Sequence, residues 1–440
     1  MVSVSQLYDI FLRHPQVTTD SRDCPAGSIF FALKGDSFDG NRFAAAALEK
    51  GCAYAVVDDA TCVVDGDDRY LLVDNVLTTF QALAHEHRLH FRGTVLEITG
   101  TNGKTTTKEL VSAVLSRKYD VLFTQGNFNN HIGVPKTLLR LAGHHEIAVV
   151  ETGANHPGEI KTLASIVAPD CGLITNVGIG HIEGFGSFEG VVRTKGELYD
   201  NLRANPRGFI FLNADNGHLR AIASGLRAVT YGRPGNGYDV EGELMECAPF
   251  LKFRWRSGVA ATSADWHEVQ MQIVGSYNLD NALAAVCVGL HFGVAPSEVD
   301  KALSGYVPTN NRSELRRTDR NSLIVDAYNA NPSSMTAAID NFAFITPPDG
   351  MEKMLILGDM GELGSVSDSE HHNIVNLLVQ KGFTNVWLVG DNFRRCNPPF
   401  ETFIDVDEVI ARIRSESLSG RLILIKGSNF THLYRLPEVL

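Results

Sequence analysis

A chain of 440 residues that is 44% hydrophobic and 20% charged is ordinary globular material, long enough, at about 100 to 200 residues per domain, for roughly two to four domains. Its 39 Lys and Arg against 51 Asp and Glu leave a net charge of −12, which argues against a non-specific grip on nucleic acid or anionic lipid; a polyanionic substrate needs local basic groups. The opening MVSVSQLYDIFLRHPQ carries no signal-peptide pattern, no run is long enough to span a bilayer, and the seven cysteines are scattered with no CxxC pair, so membrane insertion, a zinc site and a disulfide framework are not expected and the cytoplasm is the default.

In chain order, SIFFAL and AYAVV flank an alanine-rich helical segment from Phe43 to Lys50, a small α/β pattern. Leu77 to His90 then reads as a helix. Its end, HEHRLH, has Leu89 where HExxH requires histidine, and reads as a solvated helix face. VLEITG follows, a β-branched strand that runs into glycine and a Lys-Thr helix start and so opens a second domain. Short strands recur at IAVVE (147–151), GLITNV (172–177) and FIFLN (209–213), spaced for intervening helices, and this alternation predicts a mostly parallel sheet.

After the polar, turn-rich VPTNNRSE, the pattern restarts with LIVDAY, MLILGD, VWLVG and LILIKGS. Each of these runs ends in Gly, Asp, Lys or Ser, and ligands of open α/β sheets sit beyond the carboxyl ends of the strands. The pairs His144–His145 and His371–His372 read as loop and helix-start polar residues. The expected fold is therefore α/β in three domains: a small α/β module over 1–90, a central phosphate-loop domain with a mostly parallel sheet and helices over 91–308, and a Rossmann-like α/β domain over 309–440.

The chemistry concentrates at EITGTNGKTTTKEL, residues 97–110. A strand, a glycine turn and a helix opened by Lys-Thr set backbone N–H groups and a positive helix end around an anion. The loop comprises Gly100, Thr101, Asn102, Gly103, Lys104, Thr105 and Thr106, with Lys104 reaching the outer phosphates and Thr105 offering a hydroxyl to Mg²⁺. It is shorter than the general GxxxxGK[ST] loop, because Ile98 stands where the first glycine would fall.

TGTNGKTTT at this short spacing resembles the Mur ligase family, which joins peptide units to UDP-N-acetylmuramic acid. The resemblance runs across nearly the whole chain. DSR (20–22) and FFALKGDSFDG are similar to the family's UDP-binding module, and TQGNFNNHIGVP, ETGANHPGEI, LITNVGIGHIEGFGS, TKGELYD, DAYNANPSSM and LGDMGELG follow in family order. The last two segments, with no DNPR motif and with Asn329–Pro332 in place of a DYAH-type sequence, resemble the branch that adds D-alanyl-D-alanine to UDP-N-acetylmuramoyl-tripeptide during cell-wall synthesis. Asn41 and Tyr277 stand where that branch usually has histidine.

The resemblance implies ATP-dependent amide ligation: a peptide carboxylate attacks the γ-phosphate, and an amine then displaces phosphate from the acyl phosphate. It implies ATP and two Mg²⁺ ions, the two small-molecule substrates, no nucleic acid or membrane partner, and a monomer in the bacterial cytoplasm. Glu151, at the end of IAVVE, lies where it can hold Mg²⁺ beside Thr105, although a surface glutamate suits that position equally. His181 and Lys195 match further magnesium ligands, Lys195 as the carbamate that the family forms with CO₂, which requires a neutral amine. Asn278 and Asn281 match an adenine-contacting pair, with helix capping as the other reading of Asn278. Arg312 matches the arginine that the third domain swings onto the γ-phosphate, and Asp326 a ribose contact. Ser21, Arg22, Lys34 and Gly35 fall in the UDP module and Asn129 and Asn130 against the peptidyl substrate. Tyr328, Asn329, Asn331, Asp359 and Glu362 are candidates for the dipeptide pocket.

Two other readings share the loop. A folylpolyglutamate-synthase-like ligase would lack the first module with DSR and FFALKG, and a GTPase-type switch would need an NKxD sequence that the chain does not contain. Three modules around one nucleotide also suggest that the third domain closes on the second when ATP and substrate bind.

Overall fold

The computed structural model describes residues 1–258, 266–309, 312–347 and 350–440; Asn310 and Asn311 of VPTNNRSE lie outside them. Three parallel-rich sheets follow one another along the chain.

The first sheet is four-stranded and fully parallel, in the order Val17–Thr18, Ile29–Phe31, Tyr54–Val57, Tyr70–Leu72. Helix Val4–Arg13 opens the chain with a capping box between Ser3 and Gln6, and buries Leu7, Tyr8 and Phe11. The alanine-rich segment begins as a 3-10 turn at Gly40–Phe43 before the helix Ala44–Glu49.

Nine strands form the central sheet: His267–Val274, Phe250–Ser257, Val240–Cys247, Arg227–Gly232, Phe209–Asn213, Cys171–Ile174, Thr94–Thr99, Ile147–Glu151 and Val121–Phe123, from edge to edge. The last seven are parallel. The first two are an antiparallel extension that the sequence pattern did not announce. It covers the helix Asn278–His291 with Phe253, Trp255 and Met271, which join the core of Leu96, Ile98 and Val111.

The opposite face of the central sheet shares a single core with the first module. Leu7, Phe11, Phe31, Phe80 and Leu83 pack with Val95, Leu122, Leu138, Val150 and Leu163. The helix Val76–His90 is the bridge, and this corrects the expectation of a solvated HEHRLH face. Arg88 is buried, donating from Nε to the Val167 carbonyl at 3.0 Å and from Nη2 to Asp170 at 2.8 Å, while His85 and His87 reach the carbonyls of Ile166 and Leu141. Burial of so many donors is tolerable because each has an acceptor on the neighbouring domain.

The third sheet runs Glu314–Arg317, Asn321–Asp326, Arg421–Lys426, Glu352–Gly358, Val386–Val389, Glu401–Phe403, parallel except for the first strand. Separate apolar cores cover its two faces. The helix Pro332–Phe344 begins with proline at its first turn and Asn331 as its cap, a strong start signal.

Candidate active site

A cleft of about 1030 Å³ lies where the carboxyl ends of the central and third sheets face each other. Its floor is the phosphate loop. Gly100 and Gly103 adopt φ of 143° and 78°, and a Cβ would meet Thr175 Oγ1 at 2.1 Å at the first and Asn281 Oδ1 at 2.5 Å at the second, so only glycine fits either place. Asn176 grips the loop apex: its Oδ1 accepts from the Asn102 N–H and its Nδ2 donates to the Asn102 carbonyl, both at 2.9 Å. Thr101 and Thr106 line the same floor. Lys104 folds back onto the carbonyls of Gly100 and Thr101 at 2.8 and 3.0 Å. Burial lowers its pKa to about 8, with Glu151 opposing and Arg312 adding to the fall.

Glu151 is buried, and its Oε1 accepts from Thr105 Oγ1 at 3.1 Å and Asn129 Nδ2 at 2.9 Å. Its Oε2 is buried too and takes no hydrogen bond from any described residue, so the surface-glutamate reading fails and a buried carboxylate oxygen is left without a donor. Lys195 lies on the helix Phe188–Arg203, buried, with Nζ donating to the Ala154 carbonyl at 3.2 Å and lying over the Phe185 ring. Burial, then the positive charge of Lys104, pushes its ammonium well below the usual lysine range. His181 lines the cleft in a left-handed conformation, and its Nδ1 contacts the Glu362 carboxylate from the third domain. That contact holds Glu362 below the usual carboxylate range.

Asn278 and Asn281 also line the cleft. Asn278 does not cap its helix; its Nδ2 donates to the Val274 carbonyl at 2.8 Å, its Oδ1 accepts from Asn281, and Asn281 Oδ1 accepts from Thr107. Tyr277 precedes them, with its hydroxyl 2.9 Å from Ser313 Oγ.

From the third domain come Arg312, stacked 3.9 Å over the Tyr328 ring, with Asp326 and Asn329 beside it. Asn331 caps its helix through Oδ1 and donates from Nδ2 to Asn102 Oδ1 at 2.8 Å. Asp359 stands apart: it is buried, accepts from the N–H groups of Asn392 and Phe393, and lines no part of the cleft. His371, expected as a helix-start polar residue, is fully buried behind it and accepts the Met360 N–H on Nε2 at 3.0 Å.

The first-module candidates do not reach the cleft. Arg22 is exposed and pairs with Asp20, Ser21 accepts Lys50 on its carbonyl, and Lys34 pairs with Asp58 at 2.8 Å beside Gly35 in a short hairpin. Asn41 is buried and clamps Asp58 from both amide atoms. The segment carrying Asn129 and Asn130 lies between the two regions: both line the cleft, and Lys136 further on acts on Asp20. Sequence reasoning missed Asn176, Ser333 and Lys426. Only Lys426 had a signal, as the lysine ending the LILIKGS strand.

A phosphate loop beneath one sheet, with an arginine and an aspartate brought over it by another, defines an ATP-using three-domain α/β enzyme. Residues 15–88 match the catalytic domain of the Mur ligase family, 98–289 the Mur ligase middle domain and 311–429 the Mur ligase glutamate ligase domain. The UDP-N-acetylmuramoyl-tripeptide–D-alanyl-D-alanine ligase of Bacillus subtilis is 38% identical over 94% of this chain and 90% of its own; that of Escherichia coli is 32% identical over 97% and 95%. Among solved structures, MurF from Acinetobacter baumannii superposes with a TM-score of 0.84 at 30% identity, covering 96% of this chain and 92% of that one. The MurF ligase of Thermotoga maritima in complex with ADP gives 0.84 at 25% identity, covering 97% of each chain. The chain belongs to the Mur ligase family.

Proposed function

We propose that this protein is the ATP-dependent ligase that joins D-alanyl-D-alanine to UDP-N-acetylmuramoyl-tripeptide, releasing ADP and phosphate, in peptidoglycan precursor synthesis. The observation that carries the reading is the two-sided cleft: the phosphate loop with Lys104 and Glu151 on one wall, Arg312 and Asp326 on the other. Full-length similarity to ligases of that name supports the choice of substrates.

On this reading the cleft binds ATP with its phosphates on the loop, its adenine beside Asn278 and Asn281 and its ribose beside Asp326. Lys104 and Arg312 supply positive charge as the γ-phosphoryl passes to the tripeptide carboxylate. Asn129 and Asn130 hold the peptide end of the UDP substrate, whose nucleotide sits near Ser21, Arg22, Lys34 and Gly35. The dipeptide enters beside Tyr328 and Asn329, while Asn331 and Glu362 bear on the site from the third domain through Asn102 and His181.

The residues fit magnesium. Glu151 Oε2 is a buried oxygen without a donor, Thr105 shares that carboxylate, His181 lies on the cleft wall, and Lys195 has the depressed basicity that carbamylation by CO₂ requires. Thr105, Glu151, His181 and the carbamate of Lys195 would hold two Mg²⁺ ions, which neutralise phosphate charge when bound. No helix among the described residues is long and apolar enough to cross a membrane. The enzyme is read as a monomer of the bacterial cytoplasm from the resemblance.

Phosphate release tests the reading, with UDP-N-acetylmuramoyl-tripeptide and D-alanyl-D-alanine added singly and together under Mg²⁺ and bicarbonate. Release only with both, and a product heavier by the dipeptide minus water, is expected. Release independent of either substrate, or a phosphorylated product, would refute it.

A further inference from the structure

Asp326 and Lys426 end adjacent parallel strands of the third sheet and are register partners. Both line the cleft. Lys426 Nζ donates to Asp326 Oδ2 at 2.6 Å and to the Asn329 carbonyl at 3.2 Å. The lysine side chain is 2% exposed and the aspartate 16%, so the ammonium is fixed from below while the carboxylate looks outward. Asp326 Oδ1 takes no hydrogen bond from any described residue.

An aspartate's terminal torsion is soft and roughly two-fold, so the plane of a carboxylate is set by whatever engages its oxygens. Here one partner does so. The geometry points to Lys426 as the positioning residue that makes Asp326 a discriminating ribose contact: it engages Oδ2 and turns Oδ1 to the cleft to accept a ribose hydroxyl. The inference rests on reading Asp326 as the ribose contact and adds what gives that contact its selectivity. A nucleotide lacking the hydroxyl leaves a desolvated carboxylate oxygen unpaired, which is how hydrogen-bonding sites reject deoxy analogues. With Lys426 gone, the carboxylate is free to turn to water in either state, and the penalty on the analogue disappears.

The test is equilibrium binding of ADP, 2′-deoxyADP and 3′-deoxyADP to the full chain by calorimetry, which requires no assumption about the acceptor. The parent protein should prefer ADP over one deoxy analogue by about tenfold to a hundredfold. Asp326→Ala should bring that ratio near one, Lys426→Met should do the same, and the double variant should fall no further. Lys426→Gln, neutral but still a donor to Asn329, is measured alongside so that a folding defect in the methionine variant does not decide the outcome; it should lose discrimination in the same direction. Lys426 variants that weaken all three nucleotides by one factor, while Asp326→Ala abolishes discrimination, overturn the inference and leave the ribose reading standing. Discrimination that survives Asp326→Ala, or that the parent never shows, overturns the ribose reading and the inference with it.

Discussion

Asn102, in the phosphate loop, and Asn331, at the head of a third-domain helix, exchange side-chain amide hydrogen bonds of 3.4 and 2.8 Å. Since Asn176 holds the other side of Asn102, the loop apex is clamped between two domains. Asn331→Asp keeps a good helix cap but loses the donor to Asn102. Its melting temperature should match the parent, while KM for ATP rises about fivefold to tenfold and KM for the dipeptide stays level. A rise confined to the dipeptide would return Asn331 to the dipeptide pocket alone.

Lys195 is expected to carry a carbamate. Because its folded pKa lies below the ordinary lysine value, the neutral amine is present well below pH 10 and is lost as pH falls through the folded value; the modification should follow the same curve. ¹³C-bicarbonate should give a carbamate resonance in the parent that is missing from Lys195→Ala. That variant should be inactive and partly restored by short carboxylates. Full activity without them would refute the assignment.

Glu97 lies under the loop, completely buried, with Oε1 accepting from Thr152 at 2.7 Å and Oε2 unpartnered. Burial pushes its carboxyl up to about 8. The folded protein therefore keeps a proton at Glu97 that the unfolded chain has lost, and this group's contribution to stability falls as pH rises from about 4.5 towards 8. Glu97→Gln should remove that slope and be more stable than the parent at pH 8 by a few kcal/mol, at most about 4, in urea titrations. Parallel pH profiles for the two proteins would count against it.

Arg88→Ala should cost about 2 kcal/mol of unfolding free energy, because it leaves the carbonyls of Val167 and Ala168 without their donor and takes the ion-pair partner from Asp170. A loss under 1 kcal/mol in urea unfolding would mean that the apolar core alone joins the first module to the central domain.

Much of this architecture is legible in the chain because the information is local. IAVVE and FIFLN are strands over the same residues, buried throughout as apolar runs, and the loop's glycines are required by their positive φ. The antiparallel strands Val240–Cys247 to His267–Val274 went unseen: alternation there is interrupted by register shifts near Glu246 and Lys252, so no clean period of two survives. Arg88 and His371 misled for one reason. A polar residue on a helix looks solvated until the partner that buries it is known, and those partners, Asp170 and Met360, come from elsewhere in the chain. Many cleft residues were singled out from the sequence, though not Asn176, Ser333 or Lys426; the pairings, Asn102 with Asn331, His181 with Glu362, Asp326 with Lys426, join positions a hundred or more residues apart and left no spacing to read.

The first module and the central sheet share one continuous apolar core, whereas the third domain is packed around its own sheet, takes in only Val274 and Phe250 from the central one, and meets the loop through polar contacts. Close-packed apolar contact resists sliding, and hydrogen bonds between two polar surfaces break and reform more readily. Closure of the third domain on the loop would break and remake only that polar seam and leave the core shared by the first two modules intact.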